Sequence, residues 1–141
     1  MLEIKYNIER PELQSNGYYM TYGWLILEHD PHLDYWPVVS GKFGRGSIPL
    51  GIYQVTKPIM IGDQPENKPY KKEGNPWIAK LTPIGKCVDD QGPRTGLFLH
   101  PDGNVDGSLG CIAVSERDLS LFEMLKYLFE HYRQEVRLLV C

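Results

Sequence analysis

The chain has 141 residues, 42% hydrophobic and 23% charged, with a formal net charge of -3. That length fits one domain with a substantial core, and the composition excludes a disordered chain. Lys and Arg are scattered rather than clustered, which excludes the basic footprint of a nucleic-acid or anionic-membrane binder.

From the N-terminus, MLEIKYNIE alternates apolar Leu2, Ile4, Tyr6 and Ile8 with polar residues, predicting a strand with one buried face. Charge interrupts each apolar run of MLEIKYNIERPE, so no signal peptide is expected, and nothing later reaches membrane-spanning length. The expectation is a chain made in the cytoplasm without membrane insertion. Tyr18 to Asp30 is more continuously apolar, as a strand covered on both faces would be. Gly41, Gly44, Gly46 and Gly51 then punctuate short β-formers, predicting a strand, a glycine-rich turn and a second strand over Ile52 to Val55. Residues 62–76 are polar with three prolines and read as an exposed loop, its Lys68, Lys71 and Lys72 solvated. WIAKLTPIG and GLFLH are brief strands flanking KCVDDQGPRT. Leu119, Phe122, Leu125, Phe129 and Tyr132 repeat with helical period, predicting a helix from near Ser115 to near Tyr132, with Ser115 and Asp118 as an approximate capping box. EVRLLV closes as a strand. The expected fold is mainly β, a sandwich or barrel with one late helix against it and a final strand, in a single domain over 1–141.

Chemistry concentrates in HPDGNVDGSLGC, from His100 to Cys111. His100 ends an apolar strand and Cys111 precedes another β-like run, while Gly, Asn and Asp between them suit a tight reversal that brings imidazole and thiol together. A free thiol with a pKa of about 8.5 is mostly protonated at neutral pH, so a nearby base is what a cysteine nucleophile needs. Gly110, lacking a Cβ, lets a substrate carbonyl approach the backbone N–H groups around Cys111, and Ser108 can orient the loop.

His100 followed by SLGCI, Ser108 to Ile112, resembles the signature of the L,D-transpeptidase (YkuD-type) catalytic domain, and IPLGIYQV, with Pro49, Gly51 and Tyr53, is similar to that family's earlier Pro-x-Gly-x-Tyr/Phe pattern. The resemblance spans roughly Trp24 to Val114. It implies a mainly β fold and a cysteine that acylates on the stem peptides of peptidoglycan, an amine or water then resolving the acyl-enzyme. Transpeptidation and carboxypeptidation stay open. Pro101, Leu109 and Ala113 stand where the family commonly has Gly, His or Lys, and Arg or Asn; with Ala113 uncharged, Arg94 is the candidate to grip the substrate carboxylate. Leu109 and Tyr53 complete the expected substrate-binding residues. The short gap from His100 to Ser108 resembles compact members used as type VI secretion effectors, or phage-associated ones. That likeness implies delivery by a secretion machine to the periplasm or outside the cell, an antibacterial role and an immunity protein as partner. A non-catalytic wall-binding or tail module on the same fold is the alternative.

Simpler readings apply elsewhere. Asp102 and Asp106 fit ordinary turn chemistry. His29 and His32 are spaced across a proline in a way that does not suit a metal pair, and no metal or cofactor is expected. Tyr18, Tyr19, Trp24 and Trp36 read as core and rim aromatics rather than a sugar-stacking platform. Cys87 and Cys141 read as structural or incidental, since three cysteines do not make a disulfide framework.

Overall fold

The computed structural model describes residues 2–29, 32–41, 46–72, 74–85, 96–103, 111–132 and 135–140. Period-2 alternation in the sequence becomes strands β1 (Leu2–Leu13), β2 (Tyr19–His29), β3 (His32–Ser40), β4 (Gly51–Val55), β5 (Ile59–Met60), β6 (Trp77–Gly85), β7 (Leu97–Pro101), β8 (Ile112–Val114) and β9 (Val136–Val140), with one helix, α1 (Asp118–Tyr132). The strands lie in the order β4-β9-β1-β2-β3-β8-β7-β6-β5, and β4 also pairs with β6. That extra pairing closes the sheet into a barrel, with β5 added along β6. Pairing is antiparallel except for β1–β9 and β7–β8, which are parallel.

Inward positions fill the interior: Ile4, Leu25, Trp36, Val55, Trp77, Leu81, Leu99, Ile112 and Leu138 belong to one buried cluster. The register places the start of β8, the start of β4 and residues near Ile8 and Thr21 on one rim. Helix α1 runs from the end of β8 to the start of β9, both on the opposite side, and contributes Leu121, Phe122, Leu125 and Leu128 to the same cluster. Closure from that side leaves the rim beside Cys111 to carry a site.

Several expectations change here. β1 continues through Pro11 because β9 pairs it only over Leu2–Lys5, leaving an edge where a missing N–H costs nothing. A bulge between Ile8 and Arg10 bends the β1–β2 hairpin, and Gly23 is required opposite it: a Cβ there would lie 2.0 Å from the Asn7 carbonyl oxygen. β2 is buried on its inner face and only half-buried outside. The helix starts at Asp118 rather than near Ser115, because the Ser115 N–H still bonds the Pro37 carbonyl and Arg117 turns the chain at a φ of 55°. Its buried stripe uses Leu121 and Leu128; Leu119 is 36% exposed. Trp77 Nε1–H donates to Asp118 Oδ2 at 3.2 Å in a fully buried pair. Asp118→Ala is expected to cost about 1–3 kcal/mol, because the indole donor loses its acceptor, and urea denaturation measures the loss.

Candidate active site

β7 and β8 set the geometry. Leu97 and Leu99 point into the core, as do Ile112 and Val114, so alternation sends Phe98, His100, Cys111 and Ala113 to the outer face. Leu99 pairs with Ile112 and His100 with Ala113. The strands run parallel, which corrects the expected hairpin. Cys111 therefore stands opposite Phe98, and His100 lies two residues further along the same face. A strand spacing of about 4.8 Å and an offset of about 6.6 Å put their Cα atoms roughly 8 Å apart, close enough for the ring and the sulfur to approach.

The sulfur is held at the start of β7. The Phe98 N–H donates to Cys111 Sγ at 3.3 Å, and the thiol points to the Gly96 carbonyl at 3.8 Å. An N–H aimed at sulfur is oriented to stabilise negative charge there. His100 Nδ1–H donates to the Pro101 carbonyl at 2.6 Å. Because a carbonyl only accepts, the proton sits on Nδ1 and the neutral ring carries its lone pair on Nε2. That Nε2 is buried and has no hydrogen-bond partner among the described residues. His100 is 1% exposed and Cys111 3%. Burial lowers the His100 pKa below the usual 6.5, against smaller opposing effects of the Pro101 carbonyl and the Asp102 charge. The imidazole is thus neutral at neutral pH, the form a proton acceptor requires.

Tyr70, which sequence reasoning missed, covers the imidazole. The loop expected over residues 62–76 contains a 3-10 turn, Pro65–Tyr70, and packs on β7 rather than standing free. Gly103 permits the approach: its N–H bonds the Pro69 carbonyl, and a Cβ there would come within 2.3 Å of the Lys68 carbonyl oxygen. The Tyr70 ring meets His100 edge-on at 4.9 Å between centroids. Burial first, and then the charge of an ionised Cys111, raise the Tyr70 pKa above 10. A lone aromatic in an otherwise polar, proline-rich loop was the signal available in the sequence. Tyr70→Ala is expected to accelerate iodoacetamide alkylation of Cys111 several-fold by uncovering this pocket, read by mass spectrometry.

The other sequence candidates separate. Tyr53 lies in the barrel interior, away from Cys111, with its hydroxyl donating to the Pro49 carbonyl at 2.7 Å. It fixes the Pro49 segment rather than facing the thiol. Ala113 packs with Met20 and Val39, so an apolar cluster fills the position beside His100. Arg94, Ser108, Leu109 and Gly110 lie outside the described residues, as do Asp106, Cys87 and Cys141. Among the described residues no cluster of three metal-ligating side chains forms.

The arrangement offers a thiol, a fixed proton acceptor and a donor at the sulfur, the groups that acyl transfer through cysteine uses. The family model for the YkuD L,D-transpeptidase catalytic domain matches residues 15–130, extending past both ends of the Trp24–Val114 resemblance. Comparison with curated proteins and with solved structures returns no match.

Proposed function

Because the chain belongs to the L,D-transpeptidase catalytic domain family, whose members are cysteine-dependent enzymes acting on peptidoglycan stem peptides, we propose that Cys111 and His100 carry that reaction here. Cys111 Sγ attacks a stem-peptide carbonyl carbon while its proton passes to His100 Nε2. The tetrahedral intermediate collapses, the C–N bond breaks, and the leaving amine takes the proton back from the imidazole. The resulting thioester is resolved when an amine or water attacks, His100 again accepting the proton, and Cys111 leaves as thiol. Exchange and trimming of stems share this intermediate, so one enzyme performs both according to which nucleophile arrives.

The observation that supports this reading most is the shared outer face of Cys111 and His100 on neighbouring parallel strands, with Nδ1 anchored and Nε2 left as acceptor. Ser108 and Gly110 complete the reading as loop support and oxyanion donor. On this reading the enzyme acts where its polymer lies, in the periplasm or outside the cell. Incubation with tetrapeptide muropeptides and mass analysis tests it: loss of the terminal residue, or its replacement by an added D-amino acid, is the expected result. Unchanged stems, with the protein still bound to them, would identify a non-catalytic wall-binding module instead.

A further inference from the structure

A cavity opens on the rim where β8 begins. It has a volume of about 270 Å³ and lies between the tip of the β1–β2 hairpin, with Tyr18, Tyr19 and Thr21, and the Ser47–Leu50 segment. The walls are fastened. Ser47 N–H bonds the Tyr19 carbonyl at 2.8 Å, and Tyr53 holds the Pro49 carbonyl from inside the barrel. Gly46, at a φ of 86°, lets the two walls meet: a Cβ there would lie 2.8 Å from the Tyr19 carbonyl oxygen. The pocket is therefore formed before any ligand arrives, which spares a binding partner the cost of ordering it.

Its lining selects a chemistry. Among the described residues that line it, none carries a carboxylate, ammonium or guanidinium. Thr21 and Ser47 line it, with Oγ1 and Oγ 2.6 Å apart, and behind them the buried Tyr6 OH is 2.6 Å from Thr21 Oγ1. Burial pushes the Tyr6 pKa up to about 12, so this chain of hydroxyls stays neutral and can reorient between donor and acceptor roles. Ile8, Ile48 and Pro49 supply apolar wall, and two tyrosines stand unusually open at the mouth, Tyr18 49% and Tyr19 55% exposed. Apolar faces, neutral hydroxyls and open aromatic rings together match a sugar ring, whose C–H faces stack on aromatics and whose hydroxyls need partners that both donate and accept.

We propose that this pocket binds a neutral N-acetylated hexosamine unit, the glycan portion of the polymer whose stem peptide reaches Cys111. The proposal rests on the reading of Cys111 given above for the identity of the polymer, and on the pocket alone for sugar binding. Thr21 pairs with Ser40, and Ser40 with Ile112, so the pocket and Cys111 lie two strands apart along the same rim, the pocket toward the barrel interior and the thiol on the outer face.

The test titrates the full chain carrying Cys111→Ala with the N-acetylglucosamine trimer, following binding by calorimetry. Saturable binding is expected, weakened about tenfold or more in Tyr18→Ala and in Tyr19→Ala. Because both tyrosines are exposed, the variants are expected to keep the parent melting temperature. In the protein with Cys111 intact, either variant should raise KM for disaccharide-tetrapeptide and leave KM for free tetrapeptide unchanged. No saturable heat up to about ten times a millimolar Kd would overturn the proposal. So would trimer binding indifferent to both substitutions, or free-tetrapeptide binding lost in them, which would assign the pocket to peptide. Sugar binding is read without turnover, so a catalytically silent protein that still binds the trimer would refute the Cys111 reading and leave this one standing.

Discussion

Cys111→Ala is expected to abolish product formation from tetrapeptide stems, by a factor of about 10⁴ or more, as removal of a nucleophile does when the rest of a site remains. The size of the effect follows from the chemistry: without sulfur there is no thioester, and water must attack an unactivated amide. Folding should survive. Cys111 is buried on the outer face of the barrel rather than inside the main cluster, and its sulfur meets the Phe98 N–H and, at a longer distance, the Gly96 carbonyl. An unchanged melting temperature with lost activity separates chemistry from structure. Equal turnover in the variant would assign the reaction to another group.

His100→Gln is expected to lower kcat by about 10² to 10⁴, the usual range for loss of a positioned acid–base group. Gln is the informative replacement because it keeps a donor for the Pro101 carbonyl while offering no titratable nitrogen. In the parent protein, kcat/KM should hold as the pH drops to 6.5 and fall only below it, since the buried ring stays neutral under conditions that protonate an ordinary histidine. The same shift fixes the sign of a stability effect. Above about pH 6.5 the ring is neutral in both folded and unfolded chains and contributes nothing. Below that value the unfolded chain takes up a proton that the folded one resists, so stability falls by at most about 1.4 kcal/mol per pH unit until the lowered folded pKa is reached. His100→Gln should flatten that part of the stability profile, measured by denaturant titration across the acid range.

The barrel was largely legible because inward residues of β1, β4, β6 and β9 alternate so strictly. Leu2, Ile4 and Tyr6, or Val136, Leu138 and Val140, announce a buried face without help. Closure was not legible, since the β4–β6 pairing joins strands whose local patterns say nothing about partners. The direction of β8 was misread for a physical reason. A connection rich in Gly and Asp suits a hairpin, and nothing in the local pattern of β7 or β8 fixes the direction in which the two strands pair. His100 and Cys111 stood out in sequence because a polar ring and a thiol bracket a turn-rich segment. Tyr70 did not, because its role comes from a contact across about thirty residues that Gly103 allows. Tyr53 was placed at the substrate, whereas its hydroxyl anchors Pro49 from within. Tyr18 and Tyr19 read as rim aromatics, and their cavity arises only when Ser47–Leu50 folds against the hairpin.

The central claim is that the Cys111 sulfur and the His100 ring act as one proton-transfer pair, and the pH dependence of Cys111 alkylation tests it most directly. Rates with iodoacetamide from about pH 6 to about pH 7.5, compared between the parent chain and His100→Gln, remove the effect of burial because both proteins share it. A parent rate well above that of the variant throughout this range is the predicted result. Equal rates at every pH would contradict the account.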